Sequence, residues 1–287
     1  MVKRIWLGIS SVAVASVGFT ALTMFAWMVG ETHFDRPDGS FDRLAARLEG
    51  MPGVRVDAKE RWVEAPTFSD LSSWIQLTVD EAHLAGTLAT ACADDYADPV
   101  TWSLKVSTEN GSVVSLFSGP PLDGREDAAG CPDLGFDAAG VVDEVRESLP
   151  AVELQPVLWQ NGHLALVVIG DDRGTLSRWL PLVDRSDEIR RAAGLSADQP
   201  VEINASGLSM TIAPGERDRY LAMLTDLAAN HGVFSYWADD GGTPIDGVEK
   251  VQVAAPSSEH AAIEDAIRAS GLHVADLPVR FLPLEPE

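Results

Sequence analysis

Residues 102–117 read WSLKVSTENGSVVSLF, two short alternating runs on either side of Asn110-Gly111. Alternation of apolar and polar side chains is the period of a half-buried strand, and Asn-Gly supplies the positive φ angles that a two-residue hairpin turn needs. The stretch reads as a β-hairpin. The same chemistry returns at 152–159 and 163–169 around Asn161-Gly162, and a third pair of short strands, 201–203 and 208–212, flanks residues 204–207.

Between the hairpins the period changes from two to 3.6. Phe41, Leu44, Ala45 and Leu48 make one helical stripe, with Ser40 as the expected cap and Gly50 and Pro52 as stops. Ala138, Val141, Val142, Val145 and Leu149 make another, closed by Pro150, and Tyr220, Leu224, Leu227, Ala228 and His231 a third. Further helices are expected over 80–95, opened by Asp80, over 175–194 with an interruption at Pro181 and a second cap at Ser186, and over 257–270. Strands are expected at 54–63, 74–79, 233–237, 248–253 and 279–282.

This order predicts an α+β fold of three helix, hairpin, helix, strand units, 41–135, 136–213 and 214–287, each folding a mainly antiparallel sheet against its helices. The repetition is one of element order without sequence identity. A single large α+β domain or two domains are therefore also compatible with it.

The N-terminus has a different character. Residues 5–30 carry no charged side chain, follow Lys3 and Arg4, and precede Glu31 and Asp35. As a helix the run reaches roughly 39 Å, against a hydrocarbon core of about 30 Å, so it is long enough to span a bilayer with some tilt. Trp6 and Trp27 near its ends suit the headgroup layers, and the basic pair places residues 1–4 in the cytoplasm. The expectation is a single-pass signal anchor in the cell membrane, a linker at 31–40 and an extracytoplasmic body. A cleaved signal is the alternative. It is disfavoured because the only Ala-x-Ala match, Ala13 to Ala15, lies in the middle of the run.

The exported part is strongly acidic. Without Lys3 and Arg4 it holds 19 bases against all 44 acids, a net charge of -25, while the whole chain is 46% hydrophobic. Nucleic-acid binding through charge is excluded by that balance. Cys92, in a helical pattern, and Cys131, in a Gly/Pro/Asp-rich loop, are expected to form a disulfide outside the cytoplasm, with two unrelated reduced thiols as the alternative.

No motif for chemistry stands out. Asp80-Glu81-Ala82-His83 spells a helicase box, but no phosphate-cradling Gly-rich loop accompanies it, and the acids serve better as a helix start. The six histidines, His33, His83, His163, His231, His260 and His273, have no metal-ligand spacing; His231 reads as a helix C-terminal cap. There is no Gly-x-Ser-x-Gly elbow. Acid clusters at Asp94, Asp95 and Asp98, at Asp171 and Asp172, and at Asp239, Asp240 and Asp246 read as solvated turns, as do the glycosylation-like Asn110-Gly-Ser and Asn204-Ala-Ser. The chain calls for no catalytic residue, no metal and no cofactor. The expected partners are the lipid bilayer, through residues 5–30, and an envelope protein or wall polymer. The expected role is binding or scaffolding in the cell envelope, with an exported hydrolase of wall or polysaccharide material, using dispersed carboxylates, as the rival reading.

Overall fold

Along residues 71–80 every second side chain, from Ser73 through Ile75 and Leu77 to Val79, is buried, while the intervening Ser72, Trp74, Gln76 and Thr78 are only partly so. One face of this strand meets a core and the other does not. The same holds for Trp102, Leu104 and Val106, for Val201 and Ile203, and for Leu208, Met210 and Ile212. The computed structural model describes residues 33–64, 71–93, 96–119, 130–159, 162–170, 174–239 and 248–283. Its elements run β1 (His33–Asp35), α1 (Gly39–Glu49), β2 (Val54–Glu64), β3 (Leu71–Asp80), α2 (Leu84–Cys92), β4 (Thr101–Ser107), β5 (Val113–Ser118), α3 (Ala138–Ser148), β6 (Glu153–Leu158), β7 (Leu164–Val168), α4 (Leu176–Ala192), β8 (Val201–Ala205), β9 (Leu208–Ile212), α5 (Arg217–Asn230), β10 (Ser235–Asp239), β11 (Lys250–Ala254), α6 (His260–Ala269) and β12 (Val279–Leu282).

All twelve strands belong to one sheet, and their spatial order is their sequence order. Pairing alternates. Each hairpin, β2–β3, β4–β5, β6–β7, β8–β9 and β10–β11, is antiparallel, and its last strand pairs in parallel with the first strand of the next element through a crossover helix. The helices cover one face, and a single apolar cluster runs beneath them from Phe41 to Val274. Parallel neighbours cannot be joined by a tight turn, so a helix between them is the expected connection.

This corrects the expected fold class. The three units do not hold separate, mainly antiparallel sheets: β5 pairs with β6 through Val113↔Glu153 and Val114↔Leu154, and β9 pairs with β10 through Leu208↔Tyr236 and Ser209↔Trp237. The sheet is continuous and nearly evenly mixed. The repeating piece is a hairpin and one helix, because a hairpin left at a unit boundary would expose a strand edge. Among the described residues no helix is long and apolar enough to cross a membrane. The apolar run 5–30, with Lys3, Arg4, Trp6 and Trp27, lies outside the described residues.

Local details also differ from expectation. At the β4–β5 turn only Gly111 has positive φ, and Thr108 closes a longer loop through its N–H to Ser112 O and by accepting the Gly111 N–H. Asn110 works on both sides of the turn: its Oδ1 accepts the Ser112 N–H at 3.0 Å within it, and its Nδ2 donates to Val145 O at 3.1 Å and Arg146 O at 2.6 Å, tying the turn to the end of α3. Pro181 does not interrupt α4, since it sits exposed in the first turns while Trp179, Leu182 and Val183 hold the buried stripe around it. Pro156 is tolerated in β6 because the described β5–β6 pairing ends at Leu154. Asp38, rather than Ser40, caps α1, accepting the N–H groups of Ser40 at 2.8 Å and Phe41 at 3.0 Å.

Two predictions follow from this architecture. Leu166→Ala, on the helix-covered face, should cost about 2–5 kcal/mol in urea denaturation, whereas its neighbour Val167→Ala on the other face should cost well under half of that. Equal losses would mean that both faces are covered. The Ser40 hydroxyl, followed by the Phe41 N–H, holds the Asp38 carboxyl down to about 2 from an ordinary 3.8. The cap's contribution is therefore complete above pH 3.8 and fades as pH falls toward 2. The melting temperatures of wild type and Asp38→Ala should converge across that window, and a constant gap would contradict the cap.

Candidate functional site

The sheet face opposite the core is half-buried along its central strands, with Ala165, Ser235, Lys250 and Ala254 on it buried by their neighbours. Register fixes what it presents. Gln155, Val167, Asn204, Ser209, Trp237, Gln252 and Arg280 are direct cross-strand partners from β6 to β12 and form one row. At ~4.8 Å per strand the row extends about 29 Å. A second row, Val157, Ala165, Glu202 and Thr211, runs beside it. Asn204 Nδ2 donates to Glu202 Oε1 at 2.5 Å, and Ser209 Oγ donates to Asn204 Oδ1 at 2.7 Å, so the centre of the face is a hydrogen-bonded platform. At the other end of the sheet, Gln76 and Ser103 lead to Phe117, which is 56% exposed, and Trp74 stands on the next row. Asp57 also belongs to this face: the Thr78 hydroxyl and then Arg55 hold its carboxyl below the usual range against a desolvation cost. The surface thus offers amides, hydroxyls and aromatic rings with little net charge in its central row.

A second centre lies where β9 turns into α5. Glu216 is 6% exposed, and its carboxylate accepts the His273 N–H at 3.0 Å, pairs with His273 Nδ1 at 2.6 Å and receives Arg219 Nη2 at 3.3 Å. Tyr220 meets the His273 ring edge-on at 6.1 Å. Beneath them Tyr236 is fully buried, with no hydrogen-bond partner for its hydroxyl among the described residues; burial, and then the Glu216 charge, push its phenol well up. This arrangement welds the α6–β12 loop to the start of α5. It orients an imidazole, but the described residues place no nucleophile or second acid beside it.

Among the other residues the sequence singled out, the structure brings the two cysteines together and scatters the described acids and histidines. Cys92 at the end of α2 and Cys131 stand at bonding distance, which links that helix to the chain before α3. Asp98 pairs with Arg61 at 2.9 Å, in a network where Tyr96 also receives Arg61 Nε and meets Ser73 Oγ. Asp94, Asp95, Asp171, Asp172, Asp240 and Asp246 lie outside the described residues, and Asp239 is placed only as the last residue of β10. His231 follows α5 as a cap, with Nδ1 2.9 Å from Glu259 and Nε2 3.6 Å from Asp226. The glycosylation-like asparagines both use their amides internally. Among the described residues no group of three His, Cys, Asp or Glu is placed to hold a metal ion. Glu216 and His273 were not singled out as a pair, because 57 residues separate them and neither shows a local pattern.

No protein-family model, curated protein or solved structure is significantly similar to this chain. The disulfide closes a loop with a sequence separation of 39. Replacing both cysteines by serine should lower stability by about 2–4 kcal/mol through the freed unfolded chain, measured by urea denaturation without reductant. Wild-type stability in that variant would show that the bridge constrains nothing.

Proposed function

We propose that the protein is a binding or scaffolding component of the cell envelope, tethered by residues 5–30 with its N-terminus in the cytoplasm, and that its sheet face opposite the core takes a wall polymer. The observation that carries this reading is the central row from Gln155 to Arg280, six of whose seven side chains are uncharged. Amide and hydroxyl groups beside an indole match a hydroxyl-rich polymer, which needs donors and acceptors at regular intervals and a flat apolar surface for its ring faces. Strand spacing supplies the regular interval. The acidity of the rest of the body keeps it soluble beside the bilayer and repels anionic macromolecules from other faces.

The test is co-sedimentation of the full-length protein, in mild detergent, with insoluble cell-wall glycan. Binding should occur, and Trp237→Ala should weaken it roughly fivefold, equivalent to about 1 kcal/mol for one aromatic contact. Loss of sedimentation in the wild type, or equal binding by the variant, would overturn the assignment to this face.

A further inference from the structure

The tether reading has a geometric consequence at the β1 end of the sheet. The apolar run stops at Gly30 and β1 begins at His33, so the chain between them can reach only about 10 Å even when fully extended. The expected linker is much shorter than its 31–40 span, because β1 and the start of α1 occupy most of it. If residues 5–30 span a bilayer, the corner of the sheet at His33 lies against its surface.

Two orientations satisfy that corner. The sheet can lie along the edge where β2 ends and β3 begins, bringing the edge loops of every repeat to the lipid, or it can stand on β1 with the other strands stacked outward. Charge separates the two. Residues 31–64 hold six bases and eight acids, whereas everything after residue 64 holds 13 bases and 36 acids. The edge that would lie flat carries exposed Asp133, Asp137 and Asp198, and its Arg190, Arg191 and Arg217 are already matched by Asp187, Glu188 and Asp218. The β1 end presents Phe34, 43% exposed, and exposed Arg36 and Arg43, which have no carboxylate partner among the described residues. Arg43 reaches back over Gly39, close to the turn that follows Arg36. Of the nearby described acids, Asp42 pairs with Lys59 and Asp38, the cap of α1, stays ionised, so that with exposed Asp35 the arginines face two carboxylates and this end is close to neutral. An aromatic ring beside arginines fits the headgroup layer. With a screening length of ~8 Å, standing upright removes most of the acidic body from the field of an anionic surface, and lying flat does not.

We propose that the β1 end, with Phe34, Arg36 and Arg43, is a lipid-facing surface that rests on anionic headgroups, so that strand order becomes height above the membrane. The inference depends on the tether proposed above. At ~4.8 Å per strand, β12 then lies about 53 Å from β1 along the sheet. The row from β6 to β12 occupies the outer half, where a wall polymer would be met.

The experiment uses the full-length chain reconstituted in vesicles of phosphatidylcholine with phosphatidylglycerol, containing a headgroup-attached fluorescence quencher. Single labels are introduced under non-reducing conditions at Ala46→Cys on α1, Ala197→Cys between α4 and β8, and Arg280→Cys on β12. The label at position 46 should be quenched several-fold more than those at 197 and 280, and Phe34→Glu with Arg43→Glu should reduce that difference. Quenching at 197 equal to that at 46 would establish the flat orientation and overturn the proposal, as would unquenched labels at all three sites. Alkaline carbonate extraction of the same vesicles separates the two failures. Protein that remains embedded while position 46 is unquenched contradicts only the lipid-facing surface; protein that is released contradicts the tether and this surface together.

Discussion

The structure depends on what happens to the outer strand of each hairpin. A two-stranded antiparallel pair satisfies only half of its backbone groups and has two edges open to other chains. Here each hairpin is followed by an amphipathic helix that returns the chain to the starting side, so the next hairpin joins the open edge in parallel. The helix then covers the apolar side of the strands it connects. Repeating this step five times yields a sheet whose core lies on one face, with the other face carrying mixed polar and apolar side chains.

Much of this was legible locally. The stripes at Phe41 to Leu48 and Ala138 to Val145 do face the core, and most strand positions can be read from alternation. What the residues could not show was adjacency. Nothing near Val113 marks Glu153 as its partner, because a parallel pairing across a helix leaves no turn chemistry behind. The choice of Asp38 over Ser40 as cap was equally hidden, since both side chains can cap and lie two residues apart. Asn110 was read as a turn residue for its backbone, yet its side chain both accepts the Ser112 N–H within the turn and holds the end of α3. For the candidate site, alternation separated the two faces of most strands but could not show that seven side chains of one face fall into one line.

Charge gains meaning only once the strands are ordered. A net charge of -23 describes the chain as an average, but the end beside the apolar segment is almost neutral and the remainder carries nearly all the excess. Because spatial order equals sequence order, a gradient along the chain is also a gradient along the body. In most sheets, whose strands are shuffled by crossovers, the same composition would produce no such axis.

Sequential strand order has one more consequence, for how such a molecule can change in length. Each hairpin and its helix touch mainly their immediate neighbours, as in solenoid proteins. Strand direction reverses from one hairpin to the next, so removing two successive hairpin–helix pairs would bring together edges of the right polarity, and duplicating two would insert a matching set, each step altering the span by about 19 Å. The architecture therefore allows the distance between its two ends to be adjusted in fixed increments while the chemistry at either end stays the same.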